Sequence, residues 1–163
     1  MRVGLARLRA AGARVLTNTV VSADNAPYMP EIARFLVGEG VRESQLWSFL
    51  EIGSAGQSDQ LVSLEDALPG VRQALRIFEA AGTSAVVKWF PRCLLGRYAP
   101  LLDNHQPQML IRDEFQSRLS DGFVFGCVFQ DRCKWFGRGC DGLHQRYVQR
   151  FGDARTLLRP EEQ

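Results

Sequence analysis

The sequence lacks what would place it in a membrane or on a polyanion. No stretch approaches the roughly 20 consecutive apolar residues that a membrane-spanning helix requires. Its 20 Lys and Arg against 18 Asp and Glu leave a formal net charge of +2, with the signs interspersed. Strong polyanion binders concentrate basic residues in a dense patch, so neither nucleic acid nor an anionic membrane is an expected partner. The N-terminal MRVGLARLRAAGARV carries arginines but no continuous apolar core, and it does not read as a secretory signal. The expected compartment is therefore the cytoplasm, where thiols stay reduced. Internal repeats and low-complexity tracts are also missing.

Cysteine is scarce, at 4 in 163 residues, yet it is not scattered. Cys127, Cys133 and Cys140 fall within CVFQDRCKWFGRGC, and Cys93 precedes them. A chain of this length buries a core without disulfide staples. Reduced thiols in that setting are read first as metal ligands or catalytic groups. The spacing, C-x5-C-x6-C, has none of the C-x2–4-C pairs usual in zinc sites. Loops bearing Gly, Asp and Arg separate the thiols and can bend them toward one larger centre, as iron–sulfur clusters require. Arg132, Lys134 and Arg138 would offset part of the negative charge of such a centre. A metal centre is thus expected, with a cluster favoured over zinc. Disulfides or inert thiols are the alternatives, because cysteine is often buried as a small hydrophobe. His144 is a fifth candidate ligand, but its place one residue after an apolar helix position predicts an exposed helix residue.

Apolar periodicity predicts a helix over 2–11, and β-branched residues predict a strand over 14–22. ADNAP is turn chemistry. A second helix carries Ile32, Phe35 and Leu36 on one face and stops near Gly38 and Gly40. VRESQLWSFLEIG (41–53) reads as a second strand, followed by a polar stretch at 53–60 that reads as mobile. Ser63 with Asp66 forms a plausible capping box, although Pro69 suggests that the helix proper starts a few residues later. That helix continues through Leu75 and Phe78 to Gly82, and SAVVKWF (84–90) is the third strand. Residues 94–126 show no sustained period. A last helix carries Leu143, Tyr147 and Phe151 at i, i+4 and i+8 and closes at Gly152.

Up to Pro91 the order is α-β-α-β-α-β, and helical crossovers of this length imply parallel strands in an α/β layer. Active groups in such sheets gather beyond the carboxyl ends of the strands, where Ser22 to Asn25, Glu51 to Asp59 and Arg92–Cys93 fall. Three such strands leave an open edge or an uncovered face, so the chain is expected to be the back portion of a larger barrel or sheet. By alternation Leu16, Asn18, Val20 and Ser22 share a face, as do Trp47, Phe49 and Glu51. Lys88 and Arg92 also share one by parity. A basic group inside a barrel needs a partner; Lys88 is expected to meet Glu51 or a substrate carboxylate, and Arg92 to be solvated.

These residues resemble a family. VLTNTVVSADNAPYMPEIARFLVGEGV is similar to the fourth strand and following helix of the radical S-adenosylmethionine (radical SAM) enzymes. VRESQLWSFLEIG and SAVVKWFPRC then resemble the fifth and sixth strands of their partial (β/α)6 TIM-like barrel. The tail, with its spaced cysteines and CDGLHQRYVQRFG, is similar to the twitch or SPASM-type extensions that hold an auxiliary 4Fe–4S cluster. The resemblance implies half of that barrel in residues 1–92 and a Cys-rich extension in 93–163. It further implies cluster ligation by Cys127, Cys133 and Cys140, with either an open iron or Cys93 as the fourth ligand.

The cofactor implied for the complete enzyme is S-adenosylmethionine, cleaved reductively to a deoxyadenosyl radical that takes a hydrogen from a small-molecule or peptide substrate. Asn18 matches the position that contacts the ribose or amino-acid part of that cofactor, with Ser22 and Asn25 as weaker candidates; Asn18 otherwise caps a neighbouring backbone group. The family's C-x3-C-x2-C motif does not occur. The chain alone is therefore expected to be inactive, completed in the enzyme by a second polypeptide or by sequence ahead of it. The competing expectation is a small cytoplasmic α/β scaffold or binding protein with a structural zinc on its four cysteines.

Overall fold

β-Branched runs bounded by turn residues, alternating with amphipathic segments, build a three-stranded parallel sheet packed on helices. This is a computed structural model, and it describes residues 2–52, 59–105, 112–114 and 122–162. In chain order the elements are α1 (Arg2–Ala10), β1 (Leu16–Val21), α2 (Met29–Gly38), β2 (Glu43–Ser48), α3 (Leu64–Ala80) and β3 (Ser84–Lys88). Past 3-10 turns at Ala26–Tyr28, Arg92–Leu94 and Gly96–Leu101, the tail holds β4 (Phe125–Gly126), β5 (Leu143–His144) and α4 (Gln145–Phe151). The expected α-β-α-β-α-β order is present. β2 is central, pairing in parallel with β1 through Asn18↔Gln45 and with β3 through Leu46↔Val87.

One face of this sheet is covered, and among the described residues the other is exposed along β1. Val21, Leu46 and Val87 are fully buried, in one cluster with Met29, Ala33 and Leu36 of α2 and with Val71, Leu75 and Phe78 of α3. Burying a side chain of this size contributes on the order of 1.5–3 kcal/mol. On the opposite face Leu16 and Val20 are 50% and 40% exposed, and Asn18 between them is exposed as well. β1 pairs only with β2 among the described residues. The outer side of β3 is met by a bridge from Leu102 to Val87.

Several sequence expectations need adjustment. Ser63 does cap α3, its hydroxyl accepting from the Asp66 N–H at 3.1 Å. The helix nevertheless begins at once, at Leu64, and carries Pro69 inside it. Buried Leu64, Ala67 and Leu68 hold the first turn in place although Pro69 has no N–H to give. Gly70 is a packing necessity, since a Cβ there would lie 2.4 Å from the Ala26 carbonyl oxygen. The strand expected over 41–53 spans only Glu43–Ser48, because beyond Phe49, whose N–H still reaches Val21 O at 3.2 Å, pairing to β1 stops. Most of the polar stretch at 53–60 lies outside the described residues. No helix among them is long and apolar enough to cross a membrane.

The tail is not a separate layer. Cys140, Leu143, Tyr147 and Leu158 belong to the same buried cluster as the sheet and helices. Tyr147 ties α4 to α3, its hydroxyl accepting from the Leu64 N–H at 3.1 Å. That N–H is one of the first-turn groups a helix cannot satisfy internally. Removing the hydroxyl in Tyr147→Phe strands a buried donor, so stability should fall by about 1–3 kcal/mol. A lower urea midpoint at unchanged slope is the expected measurement.

Candidate metal centre

β3 ends abruptly, and its end delivers the first thiol. Trp89 has φ of 60°, a left-handed conformation uncommon for a bulky residue. Its N–H donates to Asn104 Oδ1 at 2.7 Å, and Asn104 Nδ2 donates to Asp141 Oδ2 at 2.8 Å. This chain of bonds fastens the end of β3 to the residue following Cys140. After Pro91, the 3-10 turn Arg92–Leu94 carries Cys93.

The other three thiols come from the tail, where turn follows turn. The N–H of Cys133 bonds Phe129 O at 3.0 Å, that of Arg138 bonds Trp135 O at 2.9 Å, and that of Cys140 bonds Trp135 O at 3.2 Å. These reversals fold both cysteine-bearing loops back on themselves. Gly142 permits the closest approach. It has φ of +84°, and a Cβ there would sit 2.3 Å from Gly126 O and 3.0 Å from Cys127 Cβ. Only glycine lets the Cys127 and Cys140 segments meet here.

All four cysteines line one small recess, with a cavity volume of about 20 Å³ and walls that are almost entirely apolar. Phe129, Trp135, Phe136 and Leu158 supply much of that wall. No disulfide links the thiols. Three of the sulfurs accept backbone N–H groups: Cys140 from Arg92 at 3.4 Å, Cys127 from Phe129 at 3.4 Å and Cys93 from Arg159 at 3.5 Å. Gly142 also donates to Cys140. Among the described residues, no three His, Cys, Asp or Glu donors are grouped as the ligands of a single metal ion.

Electrostatics follow from this burial. Desolvation pushes the thiols of Cys93, Cys127 and Cys140 above their ordinary range; the backbone donors pull back, and the other thiols push further upward. Without metal, burial thus favours the protonated form of these three thiols. A bound cation reverses that preference, because a coordinating thiol is deprotonated outright.

The remaining candidates fall elsewhere. Asn18 lies on the exposed face of β1, its side chain without a hydrogen-bond partner among the described residues, so the alternative of a backbone cap is not seen. Asn25 closes the turn after β1: its Oδ1 accepts from Ser22 N at 2.9 Å and its Nδ2 donates to Val20 O at 2.8 Å. Ser22 is buried in that turn. Trp47 stacks edge-on with Trp89 at 4.8 Å. Phe49 and Glu51 lie past the end of β2, so the face they were to share with Trp47 is not a strand face.

Three expectations are overturned. Lys88 does not meet Glu51, which pairs with Arg150 at 3.7 Å; its Nζ donates to His105 O at 2.7 Å and lies 5.9 Å from the Trp47 ring centroid. Arg92 is half-buried and not free in solvent, with its Cζ 4.0 Å from the Trp135 ring centroid and its Nε buried. His144 is not an exposed helix residue. It is 5% exposed, on β5, with Nδ1 accepting from Arg146 N at 3.3 Å. That bond leaves Nε2 as the protonated nitrogen, donating to Gly122 O at 2.6 Å.

Sequence reasoning missed the segment around Leu158 to Glu161 and the N–H donors to sulfur. The donors carried a signal in part. Phe129 and Gly142 each lie two residues after a cysteine, a spacing that turns an N–H back onto the sulfur. No family model matches the chain, and no curated protein or solved structure is significantly similar to it.

Two outcomes are expected. Gly142→Ala should separate the Cys127 and Cys140 segments and lower the unfolding midpoint, because the added Cβ meets backbone. The raised thiol pKa values favour the protonated folded state, so the metal-free protein is most stable below the ordinary thiol value of about 8.5. Its urea midpoint should fall as pH climbs through the raised values.

Proposed function

We propose that Cys93, Cys127, Cys133 and Cys140 hold an auxiliary 4Fe–4S cluster, and that the chain is the C-terminal part of a radical SAM enzyme. The observation that carries this reading is that thiols from distant parts of the chain line one apolar recess, with backbone N–H groups already turned onto three of the sulfurs. Donor chemistry fits the group. Clusters are held by cysteine thiolates and tuned by hydrogen bonds to sulfur and by solvent exclusion, and the recess offers all three. With Cys93 on its wall, the four-thiolate ligand set is favoured over three with an open iron.

A zinc site needs four donors at about 2.3 Å from one point. No three donors are grouped around a metal ion among the described residues, so metal analysis decides between the cluster and the alternative of an α/β scaffold with structural zinc. Bound in the recess, a cluster would supply an electron-transfer or substrate-anchoring centre. The chain's own residues fix the thiolates, exclude water with Phe129, Trp135 and Phe136, and offset negative charge through N–H dipoles. The parallel strands, the exposed face of β1 and the cysteines beyond the end of β3 support half of a partial barrel followed by a Cys-rich extension. Asn18, turned to that open face, is the residue proposed to contact S-adenosylmethionine, while Ser22 and Asn25 shape the end of β1. The remaining strands and the C-x3-C-x2-C loop would come from polypeptide outside these 163 residues. The substrate would be a small molecule or a peptide.

Purification without oxygen should give brown protein with about four iron and four sulfide per chain. Cys133→Ala should lose that iron, because coordination free energy is largely folding free energy at such sites. A colourless protein carrying one zinc would instead support the scaffold alternative, and unchanged iron in Cys133→Ala would remove that residue from the ligand set.

A further inference from the structure

Arg92 immediately precedes a proposed ligand and lines the same recess. Its backbone N–H reaches Cys140 Sγ, Nη1 donates to Ala99 O at 2.7 Å, and the guanidinium stacks on Trp135. Its Nε is buried with no hydrogen-bond partner, the sole side-chain nitrogen or oxygen in that state among the described residues. No carboxylate pairs with it among those residues. Glu161, the acid on the same wall, is engaged by Trp135 Nε1 at 2.9 Å and by Lys134 at 3.1 Å. A buried donor on a permanent cation is costly to leave unmet. Glu161 feels the Arg92 charge but forms no ion pair with it, so the sulfurs of the recess remain as acceptors for the Nε–H.

We infer that Arg92 is the counter-cation and sulfur-directed donor of the centre, a positioning residue whose Nε–H meets a sulfur of the bound cluster and whose charge favours its reduced state. The inference rests on the cluster reading. One-electron reduction adds a negative charge to the centre, and a fixed guanidinium at its wall stabilises that form more than the oxidised one. Trp135 holds the guanidinium plane and Ala99 O accepts from Nη1, which leaves Nε without a partner on a residue that lines the recess.

The test reconstitutes the full chain anaerobically with iron and sulfide and compares wild type, Arg92→Gln and Arg92→Lys by visible absorbance and redox titration. All three should load. At a fixed potential, the ratio of reduced to oxidised centre should fall about tenfold in Arg92→Gln, the size of one hydrogen bond to a charged group. That corresponds to a midpoint about 59 mV more negative for a one-electron couple. Arg92→Lys should lie between, keeping the charge without the Nε–H. A loaded Arg92→Gln at the wild-type potential overturns the role of Arg92 and leaves the cluster reading intact. A wild type that takes up neither iron nor sulfide removes both. Should Arg92→Gln fail to fold, Arg92→Lys decides: a lowered potential supports the inference, and an unchanged one overturns it.

Discussion

Everything distinctive in this molecule depends on a close approach between two stretches of backbone, Gly126–Cys127 and Cys140–Gly142. The space for one more carbon does not exist there. Because Gly142 adopts a positive φ, the chain leaving Cys140 can enter β5, pair with β4, and still direct an N–H at the Cys140 sulfur. The same approach sets the depth of the recess. The Trp89–Asn104–Asp141 chain then brings the end of β3, and with it Cys93, to the tail's three thiols.

Burial and charge oppose each other around this point. An apolar wall favours protonated thiols, while the surrounding backbone N–H groups favour thiolates. Burial wins at Cys93, Cys127 and Cys140, whose thiols are held above their ordinary range. A coordinated cation would reverse that outcome and release protons on loading.

Much of the fold was legible because local chemistry and tertiary packing agree. LTNTVV, flanked by turn residues, is a strand, and Ser63 and Asp66 form a cap where a cap was expected. That the cysteines line one recess agrees with their clustering in sequence, although no three donors are grouped around a metal ion among the described residues. Failures came where a period was carried across a break. The parity linking Lys88 to Arg92 assumes a continuous strand, but Trp89 at φ of 60° redirects the chain between them. The helical spacing Leu143–Tyr147–Phe151 hides a change of element: Leu143 and His144 are strand, and the helix starts only at Gln145. A long side chain such as Arg92 also chooses its own surroundings, and no backbone pattern announces that it will lie on Trp135.

Tyr147 reaches from the last helix to the first turn of α3, and the buried residues of tail and sheet are continuous. Scaffold and appendage therefore form one cooperative unit. The sulfurs are held in register by the global free energy of the molecule, so a lesion far from them, in the packing of α3 for instance, would loosen their arrangement as surely as a change beside them.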